Sequence, residues 1–220
     1  MATNETAVLY LEKDRLFFYD GKKIFKLDFA ADTVRDLDII NEDALISLIF
    51  QFIDTAKPIP AKFLFVLSES VLFTNEIMVK DPAEIDVQFQ NFVALVPFNQ
   101  VHAKKYQVTG GIRMVAANAE LINAISDSFE QKGFQKDGVV PAAVFGQIGV
   151  KRGLDVDTAD FILQNQEMTK GRSMVEPALP VPRENVFKVT TTGKSKSLPY
   201  LIAVFALALL AMIALIIFRK

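Results

Sequence analysis

The chain has 220 residues, a net charge near −2 and no cysteine. Disulfides, thiolate metal sites and cysteine nucleophiles are therefore excluded, and with a single histidine, His102, so is a zinc site built on histidines. The 24 Lys and Arg and 26 Asp and Glu form no long basic block, so nucleic acid is not an expected partner.

Ala7 to Leu11 is a short apolar run that reads as a buried strand. Arg15 to Tyr19 follows after the polar turn Glu12-Lys13-Asp14. Asp20-Gly21 is a hairpin signal, since both central positions of a type I′ turn need φ > 0. Lys22 to Phe29 alternates, with Phe25, Leu27 and Phe29 on one face. These three segments predict an antiparallel meander. Asn41 then reads as an N-cap, with Glu42 and Asp43 at the positive end of the helix dipole. Ala44, Leu45, Leu48, Ile49, Phe52 and Ile53 form the stripe of a helix that stops at Lys57-Pro58. Lys62 to Leu67 is nearly all apolar, which predicts a central strand buried on both faces.

Val71 to Val79 reads as a strand. Asp81-Pro82-Ala83-Glu84 is a helix start with Pro82 at the first position and Glu84 placed for a capping box. Ile85, Phe89, Phe92, Val93 and Val96 are its buried stripe, and Pro97 ends it. Ala103 to Val108 and Ile112 to Ala117 read as strands joined at Gly110-Gly111. Asn118 caps a helix whose inner face is Leu121, Ile122, Ile125 and Phe129, with Gly133 at its end. Phe134 to Val140 is a last strand. Residues 71–140 thus follow the β-α-β-β-α-β order of a ferredoxin-like unit.

From 151 to 197 the composition becomes that of a linker, with Pro177, Pro180, Pro182, Gly193 and the polar run Thr190 to Ser197; order over Asp155 to Leu163 remains open. Leu198 to Phe218 carries no charge and has no polar face. About 21 helical residues span roughly 31 Å, which matches a bilayer's hydrocarbon core. A single transmembrane helix is expected there. No basic region followed by an apolar run stands at Met1 to Leu11, so no signal peptide is expected. Arg183, Lys188, Lys194 and Lys196 before the run outnumber Arg219 and Lys220 after it, which predicts a cytoplasmic N-terminal domain.

No constellation for chemistry emerges. Gly110-Gly111 reads as a hairpin, not a phosphate loop. Asp28, Asp32, Asp36 and Asp38 are irregularly spaced and read as a solvated acidic loop. Ser68-Glu69-Ser70 reads as a turn without a partner base. His102, placed in a loop after Pro97-Phe98-Asn99, reads as a solvated or capping side chain. No catalytic, cofactor-binding or metal residue is assigned.

Four stretches carry a family resemblance. Lys62 to Ile77 is similar to a strand, turn and strand passage of the actin-like pilus assembly protein PilM and the cytoplasmic part of the type II secretion protein GspL. Val87 to Phe98, ending Ala-Leu-Val-Pro-Phe, resembles the helix of that family that ends in Leu-x-Pro-Phe. Arg113 to Phe134 resembles its strand, helix and glycine unit, and Val139 to Ala143 its next strand and proline. Phe161-Ile-Leu-Gln is more distantly similar to the passage before the membrane helix of GspL. The likeness covers roughly residues 5–148. It departs from the family at Glu12-Lys13-Asp14, where PilM has a glycine-rich turn. The family's second half, which completes its nucleotide cleft, is not matched.

The resemblance implies an α/β fold: a partial actin-like, ribonuclease H-like meander, helix and strand unit with the ferredoxin-like subdomain inserted. The organisation expected is a domain over 1–150, containing the unit 71–140, then a linker over 151–197 and the membrane helix over 198–218. The function it implies is that of a non-enzymatic, tail-anchored scaffold of a type IV pilus or type II secretion-like platform in the inner membrane. Its expected partners are the lipid bilayer and other assembly proteins, with self-association possible. The competing expectation is a membrane-anchored actin-fold ATPase that completes its nucleotide site by oligomerising.

Overall fold

The computed structural model describes residues 6–78, 81–146 and 153–175. Three strands open the chain: Thr6–Glu12 (β1), Arg15–Tyr19 (β2) and Ile24–Asp28 (β3). They pair as the expected antiparallel meander, Glu12 opposite Arg15 and Tyr19 opposite Ile24. The tight two-residue turn is therefore Lys13-Asp14. The second connection is not the type I′ turn expected at Asp20-Gly21. Only Gly21 takes a positive φ, and the Asp20 carboxylate instead accepts from the N–H groups of Lys22 and Lys23 at 2.9 Å. The side chain organises the loop, so the backbone need not.

A type I′ geometry does occur further on. Val34–Arg35 (β4) pairs with Asp38–Ile39 (β5) across Asp36 and Leu37, whose φ values are 51° and 72°. Neither is glycine, so both are strained. Leu37 is buried in the main core, and its carbonyl accepts from Asn118 Nδ2 at 2.9 Å, which holds the turn in place.

Glu42–Ala56 (α1) starts at Asn41, whose side chain accepts from the Ala44 N–H at 3.0 Å. Lys57 ends it in the left-handed conformation. Lys62–Leu67 (β6) then returns parallel to β1, Thr6 opposite Lys62 through Leu11 opposite Leu67. After the 3₁₀ turn Glu69–Val71 come Phe73–Ile77 (β7), Pro82–Ala94 (α2), Val101–Val108 (β8), Gly111–Asn118 (β9), Ala119–Gln131 (α3) and Gln135–Pro141 (β10). In α2 the Asp81 side chain accepts from the Ala83 N–H, one position earlier than the capping box expected with Glu84.

The strand order in the main sheet is β10-β6-β1-β2-β3, and β10 runs parallel to β6. Strand parity sorts the side chains. Leu9, Leu11, Phe18, Phe63, Phe65 and Val139 face α1 and α3, where Leu45, Ile49, Ile122, Ile125 and Phe129 meet them. Val8, Tyr10, Tyr19, Leu64, Val66 and Val140 face the other way.

The pairing of β10 corrects the ferredoxin-like expectation. The inserted sheet has three strands in the order β7-β9-β8, with its own core of Phe92, Val96, Ile112, Met114 and Ala116. Its element order was read correctly, but α3 and β10 leave it for the main sheet. Val139 and Val140 point to opposite faces, and both are fully buried only beside β6. The β8–β9 hairpin turns at Thr109-Gly110, with Gly110 at φ +87°. At Gly111 a Cβ would lie 2.1 Å from the Ile77 carbonyl oxygen, so only glycine lets β7 approach.

The expected linker from 151 is also corrected. Val156–Gln164 (α4) packs on the second face of the main sheet, where Leu154, Ala159 and Ile162 cover Val8, Tyr10, Leu64 and Val66. With α1 and α3 both on the first face, a sheet apolar on both sides needs this second cover. Tyr19 Oη donates to Asp160 Oδ1 at 2.6 Å and ties α4 to β2. Met174 is buried in the first core. Packed structure thus extends to Val175, the last described residue. Among the described residues no helix is long and apolar enough to cross a membrane; the run 198–218 lies outside them.

Candidate functional site at the carboxyl ends of the parallel strands

β1, β6 and β10 all run the same way, so their carboxyl ends share one edge of the sheet. Ligands of open α/β sheets bind at such an edge. Here a cleft of about 770 Å³ is lined by Glu12, Lys13, Asp14 and Arg15 after β1, by Ser68, Glu69 and Ser70 after β6, and by Arg35, Asp36 and Gly153.

The parallel register brings two sequence-distant turns together. Ser68 N–H donates to Leu11 O at 3.0 Å, and Lys13 N–H donates to Ser70 Oγ at 3.1 Å. The Ser68 and Ser70 hydroxyls are 2.7 Å apart. Two of the three cations of the cleft, Lys13 and Arg15, are paired with carboxylates. Lys13 Nζ lies 2.8 Å from Asp36, and Arg15 bonds Asp14 in a fork at 2.8 and 2.9 Å. The hydrogen bond from Lys13 holds the Asp36 carboxyl below its ordinary range, and the same contact raises the Lys13 ammonium. Both groups are exposed, so the pair adds little to stability. Glu12 Oε1 accepts from the Gly153 N–H at 2.5 Å, and Glu69 pairs with Arg113 of the inserted sheet at 2.8 Å. Beneath the cleft the Tyr10 hydroxyl is pushed up to about 12, mainly by burial and in smaller part by the negative charge of Glu12 and Glu69.

Phosphate binding at such a turn needs free backbone N–H groups, close backbone approach and uncommitted positive charge. The Lys13 N–H is taken by Ser70 and its ammonium by Asp36. Four carboxylates face three cations in the lining. The serines lack a base: His102 lies on β8, not in a loop as expected, and its Nε2 is 3.2 Å from Asn123 Oδ1. The four aspartates of the acidic loop are dispersed. Asp28 pairs with Lys26, Asp36 with Lys13, Asp38 lies 3.5 Å from Asn118, and Asp32 sits beside Thr33. Among the described residues no three His, Asp or Glu side chains form a metal-sized group. Phe92 is buried in the inserted core, and the half-buried Phe98 meets Phe73 edge to face.

Sequence reasoning weighed the Lys13 and Ser70 turns separately and missed that they touch. The signal was present: two apolar strands, each ending in a polar turn, become neighbours once they pair in parallel. The Glu69–Arg113 pair, which joins the main sheet to the inserted one, had no sequence signal. A second cavity of about 300 Å³ shares Glu69 with the first and is lined also by Lys104, Tyr106, Arg113, Pro141, Val144 and Arg172.

No protein-family model matches the chain, and no curated protein matches it. Solved structures do. The chain is similar to a PilM-PilN type IV pilus biogenesis complex, with 13% identity and a TM-score of 0.45 over 64% of this chain and 48% of the other. It is similar to the cytoplasmic domain of EpsL, an inner-membrane component of the type II secretion system of Vibrio cholerae, with 11% identity and a TM-score of 0.41 over 64% of this chain and 58% of that one. A Bacteroides thetaiotaomicron protein with an actin-like ATPase fold and unknown function matches with 6% identity and a TM-score of 0.37, over 64% and 53% of the two chains. The chain thus spans about half the length of the structures it matches. Pilus and type II secretion proteins, the two groups the sequence resembles, are both among them.

Proposed function

We propose that the chain is a non-enzymatic scaffold of a type IV pilus or type II secretion-like assembly platform, held in the inner membrane through residues 198–218 with its N-terminal domain in the cytoplasm. It acts by contact with other assembly proteins, and with the bilayer through the apolar run. The finer fold reading is a partial actin-like unit. The strand order β3-β2-β1-β6-β10, with only β2 antiparallel to the rest, supports it. That is an analogy of fold, so the functional reading stands on the site. One observation carries it: the turn after β1, where an actin-like fold grips phosphate, is Glu12-Lys13-Asp14, without glycine and with the Lys13 amide and ammonium already bonded.

Calorimetry of the full chain in detergent with ATP and Mg²⁺ is expected to show no binding at millimolar nucleotide. A saturable, Mg²⁺-dependent signal overturns the scaffold reading in favour of an ATPase that completes its site by oligomerising. The cleft of about 770 Å³ is the feature that keeps that reading in view. Membrane placement has its own measurement. A reporter active only outside the cytoplasm is expected to work when fused after Lys220 and to be silent before Met1; the reverse pattern sinks the topology.

A further inference from the structure

Residues 171–175 cross from one sheet to the other. On one side they lie along the outer edge of β10, whose only strand partner among the described residues is β6. Met174 N–H donates to Val139 O at 2.7 Å, and Val139 N–H donates to Ser173 Oγ at 3.2 Å. On the other side β8 grips their carbonyl groups. Lys104 Nζ donates to Gly171 O at 3.0 Å and to Ser173 O at 2.6 Å, and Tyr106 Oη donates to Arg172 O at 2.8 Å. Burial raises the Tyr106 hydroxyl well above its ordinary range, so it stays a donor.

The seat recognises mostly main chain. Gly171 and Arg172 are exposed, Ser173 and Val175 are half-buried, and only Met174 sinks in, to 6% exposure. A sheet edge, donors aimed at successive carbonyls and one apolar pocket are the parts of strand-addition recognition. Such a seat selects an extended backbone with one anchor residue and tolerates the rest.

We propose that this seat is a peptide-docking groove filled in cis by residues 171–175. Its trans occupant is an extended segment of a partner protein with an unbranched apolar residue at the place of Met174. The chain's own segment is what the groove is seen to hold, and it defines that chemistry. Seating and docking are mutually exclusive, and the tethered segment competes at an effective concentration of about millimolar. The segment therefore sets the threshold that a partner must exceed. This stands on the strap's geometry alone and does not depend on the scaffold reading.

A reversible lock tests it. A Cβ at Gly138 lies 3.6 Å from Ser173 Cβ, inside the roughly 3.5–4.5 Å range of disulfides, and the chain has no cysteine of its own. The variant Gly138→Cys with Ser173→Cys, as the full chain in detergent, is titrated into a fluorescent peptide Lys-Gly-Arg-Ser-Met-Val, residues 170–175. The reduced form also lacks the Ser173 hydroxyl bonds. It is expected to bind this peptide, and not the version with Asp in place of Met. The oxidised form is expected to bind about tenfold or more weakly. Equal binding in the two states, or none in the reduced state, overturns the proposal. Hydrogen exchange on the unaltered chain checks it without substitution. The Met174 amide is expected to exchange at least about tenfold faster than those of Val66 and Leu67, through local opening. Exchange of Met174 only together with β6 overturns it.

Discussion

Replacing Phe129 by alanine is expected to lower the unfolding free energy by about 3–5 kcal/mol. Phe129 is fully buried where α3 meets the main sheet. Its ring stacks on Phe18 at 5.7 Å, meets Phe134 edge to face at 5.4 Å and tilts against Phe63 at 5.8 Å. These partners come from β2, β6 and the approach to β10, so the cavity opens among elements that cannot all collapse into it. Aromatic pairs of this geometry add about 0.5–1.5 kcal/mol beyond the area they bury. The chain has no tryptophan, so guanidinium titration followed by far-ultraviolet circular dichroism is the suitable measurement. Phe161→Ala is the control. Phe161 is 42% exposed on α4, and its loss is expected to cost less than about 1 kcal/mol. A Phe129→Ala chain within about 1 kcal/mol of the parent contradicts the packing described.

Local structure was largely legible in the sequence. Asn41, Asp81 and Asn118 all cap the helices they were assigned, because a short polar side chain before an apolar stripe has a local partner in the first turn. Lys62 to Leu67 is the two-sided central strand that its unbroken apolar run predicts. What failed was non-local. Nothing within residues 134–140 says whether β10 completes the inserted sheet or joins β6, since both arrangements follow the same element order. Order over Asp155 to Leu163 was left open because α4 is only 9 residues long and is bracketed by glycine and polar segments. Its two deeply buried residues, Ala159 and Ile162, are too few to show a period. At the site, each turn was read correctly as a turn, but its content depends on the other. The Lys13 ammonium is compensated by Asp36, which a strained hairpin more than twenty residues away delivers, and its backbone N–H donates to Ser70 across the sheet.

The same non-local packing decides where the chain can be cut. A fragment ending at residue 150, the boundary expected from composition, is predicted to aggregate or to melt without cooperativity, whereas residues 1–177 fold. The shorter fragment lacks Leu154 and Ile162, which cover Val8, Tyr10, Leu64 and Val66, and it lacks Met174 in the opposite core. Burying side chains of this size contributes about 1.5–3 kcal/mol each. Losing three of them removes roughly 5–9 kcal/mol, which approaches the whole stability of a typical domain. The bared face of the sheet adds an apolar patch that favours association. The bond between Tyr19 and Asp160 and the bond from Gly153 to Glu12 go as well. A fragment ending at residue 165 restores α4 but not Met174, so it is expected to fold with stability reduced by about 2–3 kcal/mol. Size-exclusion chromatography and thermal melts of the three fragments rank them. A soluble fragment 1–150 that melts at the same temperature as 1–177 would show that α4 and the strap merely rest on a domain complete without them.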